Sequence, residues 1–220
     1  MNLSDLEPAY REVLLAQAKR APAARNDILY LPGDPARSVY FIIAGRVKIV
    51  RTLSSGAETI VAIRKPGDIV GEYGWMSGAA KRETSAIVLD PGEIATLDAT
   101  SFERLLLADV LLSAAFARGV ARRLDALEIE LTELAGKSVP GRLVDLLGRL
   151  GFEHGVRVAD GTLRIGINLT HQDLADLIGT SRETLTRELS VLADVGLIRV
   201  APRSIVLLQP RAFPNANRRE

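Results

Sequence analysis

The side chains best suited to specific chemistry fall in the stretch Thr170-His171-Gln172-Asp173-Leu174-Ala175-Asp176-Leu177-Ile178-Gly179-Thr180-Ser181-Arg182-Glu183-Thr184-Leu185-Thr186-Arg187-Glu188-Leu189. Leu185, Leu189 and Leu192 recur at helical spacing and mark an inward face. Arg182, Glu183, Thr186 and Arg187 are thereby left on the outward face. An arginine there can donate two parallel hydrogen bonds to O6 and N7 of guanine, and a glutamate can accept from N4 of cytosine. Glu183 also fits as the closing residue of a capping box with Thr180, and the arginines fit as solvated charges. For Glu183 the two roles are compatible.

Reading bases needs a rigid mount, and the preceding residues describe one. Thr170 followed by Asp173 resembles a capping box opening a helix of about two turns, with Leu174, Leu177 and Ile178 inward. Gly179 allows the positive φ of a tight interhelical turn, and Thr180 or Ser181 caps the next helix. In a helix-turn-helix the start of the second helix enters the major groove.

The remaining sequence supplies the scaffold. Ser4 to Lys19 reads as a short helix. From about Asp27 to Leu97 the pattern becomes short β-rich runs: Ile28–Leu31, Val39–Ile43, Arg46–Arg51, Glu58–Ile63, Ile69–Val70, Ser85–Leu89 and Glu93–Leu97. Glycine-containing separators, among them Ala44-Gly45 and Asp90-Pro91-Gly92, divide them, as in an antiparallel sandwich or barrel. A long helix is expected from Ser101 to Leu134. Phe116, Val120, Leu124, Leu127, Leu131 and Leu134 recur along it at three- and four-residue spacing, as in a coiled-coil seam between two copies of the chain. An internal core helix without a partner fits the same pattern. Gly136-Lys137-Ser138-Val139-Pro140 combines a helix stop, an N-cap and a first-turn proline, and marks a boundary. Beyond it come a helix Val139–Leu150, a hairpin near Arg157–Ile167 turning at Asp160-Gly161, the two helices above, and a closing strand pair, Ile198–Val200 and Ser204–Leu208. Asn215–Glu220 reads as a frayed tail.

Composition narrows the classes of function. Of 220 residues, 47% are hydrophobic and 25% charged, as in soluble globular proteins. Apolar stretches fall short of the ~20 residues that span a membrane, and Met1–Glu12 lacks the apolar core of a secretory signal. There are no cysteines, which removes Cys-ligated zinc and iron–sulfur clusters and is compatible with a cytoplasmic location. Residues 1–136 carry 16 basic and 18 acidic side chains and residues 137–220 carry 12 and 9, so the C-terminal part is the basic one. The only histidines are His154 and His171. A metal-dependent barrel enzyme would need histidines inside the barrel, and residues 1–153 contain none. No enzyme and no metal site are expected.

Ser181-Arg182-Glu183-Thr184-Leu185-Thr186-Arg187 resembles the recognition-helix core of the cAMP receptor protein and fumarate–nitrate reduction regulator (Crp/Fnr) family, and the similarity spans residues 25–210. The resemblance implies an α+β chain: an N-terminal antiparallel β-barrel of the cyclic-nucleotide-binding, jelly-roll type over residues 1–100, a dimerisation helix over 101–136, and a winged helix-turn-helix over 137–220. It implies a transcription regulator, an activator, that binds a palindromic TGTGA-like operator in double-stranded DNA as a homodimer. Arg182, Glu183 and Arg187 would read bases; Thr170, Gln172 and Thr184 would bond phosphates, with His171 and Ser181 on the phosphate side. RNA polymerase is the implied protein partner, through the loop near Glu153–Asp160.

In the N-terminal part, Gly71-Glu72-Tyr73-Gly74 resembles the start of the family's phosphate-binding cassette, and Arg82 sits where its arginine belongs. A helix opening near Glu72 would offer N–H groups, Arg82 a fixed cation, and Glu72 an acceptor for a ribose hydroxyl. No cofactor is required by the sequence; cAMP or another cyclic nucleotide is the implied effector. Two features depart from cAMP binding. Glu83 places a carboxylate where a small hydroxyl is expected, repelling a phosphate unless it turns away, and Thr84 in the next strand position would face the other way. In the long helix, Leu127 and Glu128 replace the paired polar residues that hold adenine. Constitutive, effector-independent DNA binding and a nucleotide-sensing subunit acting on a partner protein are the alternatives. The second leaves the helix at Ser181 unexplained.

Overall fold

The computed structural model describes residues 8–54, 56–201 and 204–214; the side chains of 130–135 lie outside the described residues. The chain divides into two compact units, residues 1–131 and 132–220.

The first unit begins with helix α1, Pro8–Ala16. The expected helix ends earlier than Lys19, because Lys19–Ala23 pairs as strand β1 along the edge of the sheet. Strands β2 (Ile28–Tyr30), β3 (Ser38–Thr52), β4 (Glu58–Arg64), β5 (Ile69–Val70) and β6 (Ser85–Asp98) complete an antiparallel sheet, with helix α2 (Glu72–Met76) between β5 and β6. The ladder runs β1-β6-β3-β4, with β2 on β6 and β5 on β3. It is an open jelly roll rather than a closed barrel, since β1 and β4 do not pair among the described residues.

The separators Ala44-Gly45 and Asp90-Pro91-Gly92 do not break the sheet. β3 and β6 run through them as single strands, and the irregularity is absorbed by register shifts between Ile42 and Val47. The reason is steric. A Cβ on Gly92 would lie 2.0 Å from the Ala44 carbonyl oxygen, and one on Gly45, at φ +82°, would lie 2.5 Å from that of Asp90. Here the glycines allow two backbones to touch.

One face of the sheet and the following helices share a core of Leu14, Val39, Phe41, Ile69, Leu97, Phe102, Leu112 and Phe116. Phe102 is its hub, with Phe41, Trp75 and Phe116 packed edge-on at centroid separations of 6.2, 5.6 and 5.4 Å. The other face encloses Tyr30, Ile42, Val47, Ile49, Val70, Ala86 and Val88.

The single long helix expected from Ser101 is two helices, α3 (Ala99–Ala108) and α4 (Val110–Ala135). Asp109 is extended (φ −136°, ψ 110°), and its carboxylate accepts from the N–H groups of Leu111 and Leu112. An N-cap in mid-pattern thus restarts the helix at a new angle.

The second unit opens on α5, Val139–His154, longer than Val139–Leu150. Its sheet has the order β7-β8-β10-β9, built from Gly155–Arg157, Leu163–Ile165, Ser204–Leu207 and Ile198–Ala201. The turn at Asp160-Gly161 forms as expected, with Gly161 at φ +83° and the Asp160 carboxylate accepting from both the N–H and the hydroxyl of Thr162. Helices α6 (His171–Ile178) and α7 (Arg182–Asp194) lie between β8 and β9, and a 3-10 turn covers Pro210–Ala212. The tip Pro202-Arg203 and the tail Asn215–Glu220 lie outside the described residues.

Candidate nucleic-acid interface and effector pocket

In α6 the capping box is complete. Thr170 Oγ1 accepts from the Asp173 N–H at 3.0 Å, and the Asp173 carboxylate accepts from the Thr170 N–H at 2.9 Å. Gly179, at φ 63° and ψ 54°, ends the helix in the left-handed region, and the Thr180 N–H returns to the Ala175 carbonyl. Arg142, which the sequence did not single out, locks this turn from α5. Its Nε donates to the Ile178 carbonyl at 2.8 Å and one terminal nitrogen to the Gly179 carbonyl at 3.4 Å.

Ser181, not Thr180, caps α7, its Oγ accepting from the Thr184 N–H at 3.2 Å. Glu183 is therefore not the closing residue of a capping box with Thr180. Its own N–H, then the Ser181 hydroxyl and the Arg182 cation, hold its carboxyl below the usual glutamate range. Leu185 and Leu189 are buried, while Arg182, Glu183, Thr186 and Arg187 are exposed together. Arg187 reaches Glu188 at 3.3 Å but remains 70% exposed at its side chain. His171 Nδ1 lies 3.1 Å from the Thr186 hydroxyl, and Gln172 donates to Asp176 at 2.7 Å. Thr170, His171, Gln172 and Arg182 share a groove with Val200 and Ser204 of the terminal strand pair. The groove and the His171–Thr186 contact bring Thr170, His171, Gln172, Arg182 and Thr186 together, with Glu183 and Arg187 exposed further round α7. The Glu153–Asp160 segment is not one loop: Glu153 and His154 end α5 and Gly155–Arg157 is β7.

The jelly roll holds a second cluster. Arg82 is buried and donates to the Gly71 carbonyl and, at 2.5 Å, to the Ser38 carbonyl. Its Cζ stacks 4.4 Å from the centroid of the Tyr30 ring. Gly71 and Gly74 make room for it: a Cβ on either would meet an Arg82 terminal nitrogen at 3.0 or 3.4 Å. Glu72 is buried and takes a 2.5 Å ion pair from Arg123 of α4. Burial raises the Tyr30 phenol above its ordinary value, against a hydrogen bond from Thr84 and the Arg82 charge.

Several expectations change here. Glu83 turns outward and pairs with Arg51 at 3.2 Å, so its carboxylate does not oppose an anion near Arg82. Thr84 precedes β6 and meets Tyr30 instead of facing away. Tyr73 is 69% exposed. Leu127 and Glu128 are exposed on α4. Of the six seam residues, Phe116 is buried in its own unit's core and Val120 packs against that core while staying partly exposed. Leu124 and Leu127 are exposed, and Leu131 and Leu134 lie outside the described residues. Sequence reasoning missed Arg64, Arg123 and Tyr30. The string carried no signal for Arg64: apolar residues run unbroken from Ile60 to Ile63, and the ladder shifts register between Ile60 and Ala62.

No helix of the described residues is long and apolar enough to cross a membrane, and no group of three or more potential metal ligands occurs among them.

A jelly roll with a buried arginine, followed in the chain by a winged helix-turn-helix whose second helix exposes Arg182, Glu183 and Arg187, defines a class of DNA-binding transcription regulators. Residues 21–109 match the family model of the cyclic nucleotide-binding domain, and residues 141–213 match that of the Crp-like helix-turn-helix domain. The global nitrogen regulator of a Nostoc species is 32% identical over 187 residues, covering 84% of this chain and 83% of the relative. A CRP-like cAMP-activated global transcriptional regulator of Mycobacterium tuberculosis is 29% identical over 202 residues, 92% of this chain and 89% of the relative. Among solved structures, the c-di-GMP-responsive global regulator CLP of Xanthomonas campestris superposes with a TM-score of 0.80 at 26% identity, covering 91% of this chain and 99% of that one. The chain belongs to the Crp/Fnr family of transcription regulators.

Proposed function

We propose that the protein regulates transcription as a homodimer on a two-fold symmetric, TGTGA-like operator, without enzymatic activity. One observation carries this reading: α7 is fixed at its start by Ser181 and presents Arg182, Glu183 and Arg187 to solvent on one face. Arg182 and Arg187 pair with guanine edges and Glu183 with cytosine, while Thr170, His171, Gln172, Ser181 and Thr184 hold the phosphates. Leu124 and Leu127, exposed on α4, supply the contact between copies. Residues 1–100 then act as the effector domain, 101–136 as the dimerisation segment and 137–220 as the DNA-binding domain.

The effector is a small anion, a cyclic nucleotide in the family's pattern, held by Arg82. Two facts favour an anion: the Arg82 Nε is buried without a hydrogen-bond partner, and Glu83 has turned away. Leu127 offers adenine no polar partner, which favours an effector other than cAMP. The protein works in the cytoplasm and activates transcription by contact with RNA polymerase through the surface around Asp160.

Footprinting on random duplexes, with and without cyclic nucleotides, tests the reading. The expected result is a two-fold symmetric site whose affinity falls steeply with salt. Protection indifferent to sequence, or confined to one half-site, would refute it.

A further inference from the structure

Arg64 closes strand β4 in an unusual place for a charge. In the β3–β4 ladder it stands opposite Val47, as Ala62 stands opposite Ile49. Val47 and Ile49 belong to the interior core, and Ala62 packs against it. Cross-strand partners share a face, so Arg64 lies on the inner face of the jelly roll. Its Nε is buried without a hydrogen-bond partner. Burial first, and the Arg123 cation second, lower its pKa to about 10. A half-buried guanidinium with its Nε shut off from water and unpaired costs stability, so a fold that retains one needs another reason to keep it.

Arg64 and Arg82 approach the same neighbours from two walls. Tyr30 is the common neighbour, lying under the Arg82 guanidinium at 4.4 Å and within the field of Arg64, while Glu72 interacts with Arg64 and is itself held by Arg123. Each of the two arginines has an Nε donor buried and unfilled. A single phosphate at Arg82 leaves the Arg64 donor unanswered.

We infer that Arg64 is a specificity-determining residue of the effector site, and that the effector carries a second anionic group which Arg64 receives while Arg82 receives the first. This rests on the jelly roll being an effector site, as proposed above. The shared chemistry is two acidic groups on one small molecule, and a bis-phosphate or a dicarboxylate can supply them. Arginine suits either, since its planar fork matches both.

Calorimetry on the full-length protein tests the inference with cAMP, adenosine 3′,5′-bisphosphate, c-di-GMP and glutarate. The first two share base and sugar and differ in having one phosphate or two. A two-group probe should bind at least about tenfold more tightly than cAMP, the size of one charge-assisted hydrogen bond. Arg64→Met should erase that preference, and Arg64→Lys should restore it only in part. The probe that shows the preference identifies the source, nucleotide or dicarboxylate. Melting curves guard against a folding artefact: Arg64→Met without ligand should melt no lower than the wild type, and a lower melting point would assign Arg64 a structural role and overturn the inference. Binding of cAMP alone, or a preference that survives Arg64→Met, overturns the inference and leaves the effector site standing. No binding by any probe in the wild type overturns both.

Discussion

The Glu72–Arg123 pair gives an asymmetric prediction. The two side chains meet at 2.5 Å but are unequally covered, 7% exposed for Glu72 and 30% for Arg123. Removing the cation takes the paired donor from a nearly buried carboxylate. Breaking a fully buried pair in this way costs ~3–5 kcal/mol, and the partial exposure of Arg123 reduces it to about 2–3 kcal/mol for Arg123→Ala. Glu72→Gln leaves an amide oxygen to accept from Arg123, whose charge reaches water, and should cost about 1 kcal/mol. Replacing both by leucine should recover most of the loss, since a well-packed apolar pair often matches a buried ion pair. The sole tryptophan, Trp75, packs 5.6 Å from Phe102 in the same unit, so its fluorescence during urea unfolding reports on that unit. Equal losses for the two single variants, or a larger loss for Glu72→Gln, would refute the reasoning.

Arg182→Ala should weaken operator binding by ~1–3 kcal/mol and relax preference at one base pair per half-site in a competition assay; uniform weakening on all sequences would place Arg182 on phosphate. Leu124→Lys with Leu127→Lys should yield monomers in sedimentation and abolish operator binding. Thr170→Val removes the hydroxyl that caps α6 and should lower the stability of the second unit by ~1 kcal/mol in chemical denaturation, with the first unit unchanged. The Glu183 carboxyl sits lower in the folded chain than in an unfolded one, so its contribution is present above the ordinary glutamate pKa and lost as pH falls through the folded value. Glu183→Gln should therefore flatten the acid limb of stability, measured by melting between neutral and acidic pH.

Local signals carried the helix-turn-helix because its helix caps span four residues or fewer, although Arg142 locks the turn from thirty-six positions away. Thr170 with Asp173, Gly179, and Ser181 with Thr184 are spacings that can be read from the string, and the structure realises each. The jelly roll depended on contacts the string does not display. Gly45 and Gly92 look like turn residues until the strands are seen to cross, and Glu72 looks available until α4 delivers Arg123 fifty-one positions away. The orientation of Glu83 was likewise decided by Arg51 on another strand. In the long helix, periodicity could not tell a core stripe from a seam. Phe116 and Val120 join the core while Leu124 and Leu127 stay exposed, within one continuous pattern.

The contact between Gly45 and Gly92 constrains more than two positions. Because the obstacle to a side chain at either site is main chain, no compensating change elsewhere can relieve it. Sliding β3 along β6 by one residue would carry Ala44 or Arg46 into that gap, so the crossing acts as a pin for alignment on both sides.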